Sequence, residues 1–359
     1  MSKIVMSGYY GFANAGDEAM LTAIIKSLRE KEPGVQLTVI SGNPEVTSAM
    51  HNVRSIHRFA FLDIFCAIKN CNLLLSGGGS LLQDVTSKRS LLYYLFIIWL
   101  GSFFNTKVML FAQGIGPINS VFMRKLTKYV CSKADLITVR DKDSLYEIKR
   151  IGIPSSRVEL TADAVLTLPR VGKDEGKRIL EEQGVPTDKM LIAIAVRKWR
   201  DDDAYLLEIA KAADVLAGAQ NAHIVLLPLQ YPVDLASCER VAEYMADKSM
   251  ATILDINCST EQYLSLMSNF DLLIGMRLHA LIFAAVMGVP FVAVSYDPKI
   301  DGFVKDVDGV SAGKVSNLEA KEVIFACHKA LGIKQGDCLA KWRKLAASNS
   351  TKAFSLLNE

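Results

Sequence analysis

The stretch LLIGMRLHALIFAAVMGVPFVAVSYDPKI, residues 272–300, reads as a strand, a helix and a second strand in succession. Its first apolar run ends at Gly275, and MRLHALIFAAVMG follows as a helix that is apolar nearly all round. PFVAVS then supplies the second strand, and SYDPK turns the chain again. Neither strand alternates apolar with polar residues, so helices must cover both of its faces, as in a parallel sheet. A helix joining two parallel strands is the repeating unit of such a fold.

The same pattern extends outward. MLIAIAV (190–196), HIVLLPL (223–229) and FDLLIG (270–275) read as strands, with helices near 202–218, 232–247 and 277–287. The charged stretch 172–184 reads as the first helix of this half. Nearer the amino terminus, 3–8, 36–41, 72–77, 107–114 and 135–140 read as strands, and 17–31 as a helix opened by Asp17 and Glu18. The expected fold class is therefore α/β: two Rossmann-like, doubly wound parallel-sheet domains with an interdomain cleft. The boundary falls near 163–172. It divides the chain into 1–168, 169–335 and a terminal helix in 336–359, expected to pack back on the body.

A chain of 359 residues suits two domains of ~150 residues each. With 50% hydrophobic and 22% charged residues it is neither disordered nor collagen-like. A net charge of +3 argues against a surface built to coat nucleic acid. Cysteines at 66, 71, 131, 238, 258, 327 and 338 form no CxxC pair and no Cys/His cluster with zinc spacing. They read as buried free thiols of a reducing compartment, and no metal site is expected. The opening MSKIVMSGYYGF has no apolar signal core. LLYYLFIIWLGSFF (91–104) is shorter than the ~20 residues that span a bilayer. It reads as a buried helix, or as one that also rests on a membrane through Tyr93, Tyr94 and Trp99 beside the basic pair Lys88–Arg89. The expected location is the cytoplasm, peripheral at the inner membrane face on the second of these readings.

In doubly wound sheets, ligands sit beyond the carboxyl ends of the strands. The turn GYYGFANAGDEAM (8–20) lacks the dinucleotide pattern G-x-G-x-x-G. Either Asp17 caps the following helix with Glu18 in its first turn, or Asn14 and Asp17 bind the hydroxyls of a carbohydrate. SGGGSLLQD (76–84) lets a ligand or a neighbouring backbone approach closely, but no Lys-Ser/Thr follows to make a nucleotide-binding loop. Asp84 is expected one helical turn beyond Ser80. AQGIGP (112–117) reads as scaffold. Arg140 ends the run DLITVR, as an anion ligand or as the partner of Asp141 and Asp143. VRKWR (196–200) places Arg197 and Arg200 at the matching turn of the second half. Arg277 and His279 fall in the first turn of the apolar helix, where a charged Arg needs a counterion and the helix start favours an anion. Lys299 follows the next strand. His279 alone fits a core histidine, but with Arg277 and Lys299 at two neighbouring strand ends it points to anion chemistry.

Taken together, GYYGFANAGDEAM, SGGGSLLQD, AQGIGP, VRDKDSL, TADAVL and GMRLHALIFAAVMGVPFVAVSYDPK make the chain resemble the polysaccharide pyruvyl transferase family over nearly its whole length. Within that family it is most similar to the bacterial ketal-pyruvyltransferases of cell-wall polymers used in S-layer anchoring. The resemblance implies a fold like that of GT-B glycosyltransferases and phosphoenolpyruvate as donor, with no separate cofactor. It implies an acceptor with N-acetylmannosamine in a lipid-linked polymer precursor. By motif, Arg277, the backbone of Leu278 and His279 match the family's donor-binding segment. Arg140 matches its strand-end arginine, and Lys299 the lysine after the next strand. Catalysis is then expected of His279, as histidine is the side-chain type suited to proton transfer at neutral pH, and of Lys299, which can stabilise departing phosphate. Asn14, Asp17 and Asp84 map to the acceptor side. The rival reading is a GT-B glycosyltransferase that holds a nucleotide-sugar diphosphate at the same cationic helix start.

Overall fold

The computed structural model describes residues 1–333 and 339–358, so Cys338 lies outside the described residues. The chain divides into two compact units. The first comprises Met1–Leu168 with Ala340–Glu359, and the second Pro169–Leu339.

The first unit opens with β1 (Lys3–Ser7), α1 (Ala15–Lys31), β2 (Gln36–Ser41), α2 (Pro44–His51) and β3 (Arg54–His57). It continues with α3 (Phe61–Lys69), β4 (Leu73–Gly77), α4 (Lys88–Phe103), β5 (Lys107–Gln113) and α5 (Val121–Cys131). β6 (Leu136–Val139), α6 (Lys142–Ile151) and β7 (Val158–Leu160) complete its sheet. The second unit contains α7 (Asp174–Glu182), β8 (Met190–Ala195), α8 (Ala204–Gln220), β9 (Ala222–Leu226), α9 (Leu235–Tyr244) and β10 (Ala251–Ile253). There follow α10 (Thr260–Met267), β11 (Leu272–Gly275), α11 (Leu278–Met287), β12 (Phe291–Ser295), α12 (Pro298–Asp306), β13 (Val310–Lys314) and α13 (Ala320–Gly332). The last helix, α14 (Leu339–Asn358), belongs to the first unit for all but its first residue.

Both sheets are parallel throughout. Their strand orders are β3-β2-β1-β4-β5-β6-β7 and β10-β9-β8-β11-β12-β13. In each, the chain works outward from one central strand, returns, and continues on the other side. The order reverses between β1 and β4 in the first unit, and between β8 and β11 in the second. A crevice opens at such a reversal because the flanking connections leave in opposite directions.

The central strands are buried along nearly their whole length, as their unbroken apolar runs require. In the first unit Leu74, Val108 and Leu110 pack with Leu91, Leu95 and Ile98 of α4. In the second, Ile192 and Ile194 pack with Leu206, Ile209 and Ala213 of α8. Every residue of α11 except His279 is buried, which is why that helix has no polar face.

Several expectations need correction. α1 begins at Ala15, and its cap is Asn14 rather than Asp17. Residues 80–87 are not helical, so Asp84 stands on a loop and not one helical turn beyond Ser80. Of the three aromatic residues read as membrane-facing, Tyr94 is buried and the Tyr93 hydroxyl donates to the Arg58 carbonyl at 3.0 Å. Cys66 is exposed on α3, whereas Cys131, Cys238, Cys258 and Cys327 are buried. Burial pushes the Cys131 thiol up to about 12. Among the described residues, no helix is long and apolar enough to cross a membrane.

Candidate functional site

In the second unit, three adjacent strands, β8, β11 and β12, each hand the chain to a turn that carries a cation. β8 leads to Arg197, β11 to Arg277, and β12 to Lys299. β8 and β11 flank the reversal of strand order.

Arg277 is the N-cap residue of α11, and its side chain makes no capping hydrogen bond. Its side chain is 11% exposed. The counterion is Asp234, 1% exposed, which stands just before α9 and pairs with Nη2. Gln230 Oε1 accepts from the same Nη2 at 3.1 Å. The other Asp234 oxygen accepts from the backbone N–H groups of Leu229 and Gln230, at 3.2 and 2.9 Å. Asp234 is thus fully engaged and fixes the plane of the guanidinium. Both bonds fall on Nη2, and the buried Nε has no hydrogen-bond partner among the described residues. His279 lies half-buried in the same first helical turn.

Tyr296 joins the other two cations. Its hydroxyl accepts from Arg197 Nη1 at 2.9 Å, and the Arg197 guanidinium lies 5.0 Å from its ring centre. The Lys299 ammonium lies 5.9 Å from the same ring and 3.3 Å from Asp297. Aromatic faces hold cations by their quadrupole, so Tyr296 gathers two positive groups that would otherwise repel. Arg200, with φ of 55°, instead stacks on Trp199 at 4.5 Å.

In the first unit, the turns after β1 and β4 face each other across the reversal. Tyr10, 1% exposed, donates its hydroxyl to the Gly77 carbonyl at 2.7 Å and so ties the two turns. Gly11 has φ of +79°, and a Cβ there would lie 2.2 Å from Ser41 Oγ. Glu18 Oε1 accepts from the Gly11 N–H at 2.7 Å, with His51 3.6 Å from its other oxygen. A Cβ on Gly79 would come within 3.0 Å of Asp17 Oδ1, so the glycine turn lies directly against that carboxylate.

Arg140 lies under the same turn with its side chain 4% exposed. It donates to Asp163 at 2.8 Å and to Ser80 Oγ at 3.0 Å, with Asp141 at 3.5 Å. Burial would lower its pKa, but Asp163 and Asp141 outweigh that and hold it above the ordinary arginine value. Of the two readings open from sequence, the partner of acids is the one seen, and Asp163 is the acid that the strand-end pattern did not single out. Asp84 gives one oxygen to the Asn119 N–H and the other to the Ser120 N–H, both at 2.8 Å. Asn14 gives its carbonyl oxygen to Gly16 and Asp17 N–H. Asn14 and Asp84 therefore act as backbone clamps, and Asp17 is the acceptor-side candidate that faces the turn after β4.

Sequence reasoning missed Asp234, Gln230, Tyr296 and Asp163. Asp163 and Tyr296 stood in quoted motifs, TADAVL and SYDPK, without being singled out. The need of Arg277 for a counterion was legible; its source, 43 residues away in the chain, was not.

The family model described as polysaccharide pyruvyl transferase matches residues 14–298. The amylovoran biosynthesis protein AmsJ of Erwinia amylovora is 24% identical over 363 residues, covering 85% of this chain and 86% of that protein. Among solved structures, the UDP-GlcNAc 2-epimerase of Methanocaldococcus jannaschii superposes with a TM-score of 0.71 at 10% identity, covering 99% of both chains. The Anabaena protein HepE, solved with UDP and glucose, gives 0.65 at 10% identity over 100% of this chain and 98% of that one. The ADP-heptose LPS heptosyltransferase II of E. coli gives 0.56 at 12% identity, covering 92% and 98%. These likenesses establish the two-domain α/β fold shared by GT-B glycosyltransferases and such epimerases.

Proposed function

The chain belongs to the polysaccharide pyruvyl transferase family, and from that premise we propose that it moves the pyruvyl group of phosphoenolpyruvate onto two hydroxyls of one sugar, releasing phosphate. The coarse activity, a transferase of polysaccharide biosynthesis, follows from the family. The donor, the sugar and its carrier are this proposal: N-acetylmannosamine in a lipid-linked cell-wall polymer precursor.

The observation that carries the reading is the set of cations after β8, β11 and β12, with Arg277 held rigid by Asp234 and Gln230. Phosphoenolpyruvate bears a carboxylate and a phosphate, and a fixed guanidinium edge suits either by paired hydrogen bonds. Asp234 neutralises much of the Arg277 charge, so the phosphate needs further positive groups. Lys299 and Arg197, gathered on Tyr296, supply them. The start of α11 adds the backbone N–H of Leu278 and a favourable dipole.

Transfer protonates the methylene carbon and leaves an oxocarbenium-like centre at its neighbour. One sugar hydroxyl adds there, phosphate departs, and a second hydroxyl closes the ketal. His279 is the candidate for proton transfer in this sequence, and Lys299 for stabilising the leaving phosphate. Asp17 is the carboxylate nearest the glycine turn on the acceptor side. Arg140 acts through Ser80 and Asp163, as the residue that positions that turn.

Incubation with phosphoenolpyruvate and a saccharide acceptor tests the proposal by product analysis. A pyruvyl ketal with one phosphate released per transfer supports it. A new glycosidic bond formed from a nucleotide sugar, with no use of phosphoenolpyruvate, overturns it.

A further inference from the structure

The first unit carries an apolar surface whose exposed side chains have no part in the sites above. α3 exposes Phe61 (52%), Leu62 (83%) and Phe65 (42%), and Phe59 just before it is 60% exposed. α4 packs beside α3 and exposes Phe96 (42%) and Phe103 (60%). The rings are linked: Phe59 to Phe61, Phe61 to Phe96, Phe96 to Trp99, and Trp99 to Phe103, each within 6.4 Å between centres. A soluble monomer seldom leaves so continuous an apolar patch uncovered.

Charge selects what covers it. Between residues 54 and 107 stand six Lys and Arg against two acids, Asp63 and Asp84, a net +4 in a chain whose total is +3. α4 contains no acidic residue, and it starts with Lys88 and Arg89, both exposed. A second copy of this face would set its basic rim against the same charges, whereas an anionic lipid surface would neutralise them. The patch also runs into a site turn. The Arg58 guanidinium lies 5.3, 5.0 and 4.8 Å from the ring centres of Phe12, Phe59 and Tyr93, and Phe12 stacks on Tyr9 of the turn after β1.

We propose that the α3–α4 face docks on an anionic phospholipid bilayer, with its aromatic side chains among the acyl-chain boundary and Lys88 and Arg89 at the head groups. Docking is superficial, because the inner faces of both helices are buried on the sheet. It sets the turn after β1 at the membrane surface, where a sugar carried on a lipid would arrive. The inference rests on the exposed residues alone and not on the identity of donor or acceptor.

Co-sedimentation of the full chain with vesicles tests it. Binding to phosphatidylcholine vesicles containing phosphatidylglycerol is expected at low salt, with little binding to phosphatidylcholine alone. It should weaken as salt shortens the Debye length from ~10 Å at 0.1 M to ~3 Å at 1 M. Phe61→Ser with Phe96→Ser should lower vesicle affinity about tenfold or more, with phosphoenolpyruvate affinity and melting temperature unchanged. Lys88→Ser with Arg89→Ser should flatten the salt dependence. The proposal is overturned by absence of sedimentation at low salt, or by full vesicle affinity in the aromatic variant. A concentration-dependent dimer that binds no vesicles and is lost in that variant also overturns it, and assigns the face to a second copy. None of these outcomes bears on pyruvyl transfer to a soluble acceptor, which is assayed separately.

Discussion

At Arg277 a single side chain is both paired and directed. Asp234 and Gln230 hold Nη2, and the buried Nε has no hydrogen-bond partner among the described residues. Arg277→Ala is expected to weaken phosphoenolpyruvate binding by about 2–5 kcal/mol, the range for truncating one partner of a buried charge pair. Calorimetric titration reads this, and unchanged donor affinity would remove Arg277 from the donor site. Arg277→Lys should recover only part of the loss, because an ammonium keeps the charge but not the planar fork. His279→Gln should lower turnover about 10²–10⁴-fold while the protein still binds donor. Steady-state kinetics beside the same titration separates the two effects. Turnover close to the parent's would return His279 to the core and leave proton transfer to another group.

At the scale of elements, the buried pair Arg140–Asp163 connects the end of β6, the segment after β7 and the glycine turn after β4. Asp163→Ala leaves a buried guanidinium without its main acceptor, and should cost about 3–5 kcal/mol in urea unfolding. Asp84 gives a pH test. Desolvation would raise its carboxyl, but the N–H groups of Asn119 and Ser120, with the Lys88 charge, hold it below the ordinary aspartate range. A depressed carboxylate contributes its stabilisation above the unfolded value and loses it as pH falls through the folded one. Hydrogen exchange at Asn119 and Ser120 should therefore accelerate only in acid below the ordinary carboxylate range. Asp84→Asn should accelerate it at neutral pH.

Elements also show what could be read from sequence. The central strands announced themselves because both of their faces are buried, so the apolar run is unbroken. β3, β7, β10 and β13 did not: they are the sheet edges, short and partly exposed, with polar residues such as Arg54, Glu159, Thr252 and Ser311 among few apolar ones. The site divides the same way. Arg277 and Lys299 were legible as charges bordering apolar runs. Asp234 and Tyr296 were not, since their roles depend on which strands become neighbours.

At the scale of the whole molecule, α14 returns the end of the chain to the first unit. It buries Trp342, Ala346, Ala353 and Leu356 at helical spacing, and Lys352 pairs with Glu159 of β7. Removing residues 340–359 strips two large side chains from the first unit. At about 1.5–3 kcal/mol each, their loss should cost that unit about 3 kcal/mol or more. Hydrogen exchange should then rise in β1–β7 and stay near the parent's in β8–β13. Equal loss of protection in both sheets would contradict the assignment of α14 to the first unit.

The membership of α14 has a genealogical consequence. Segments on both sides of 169–339 belong to one unit, so the other is a guest, written into its host's sequence as a single uninterrupted passage. Such a passage can be exchanged between relatives as a cassette with two junctions. A recombinant could thus inherit the cations after β8, β11 and β12 from one parent and the turns after β1 and β4 from another.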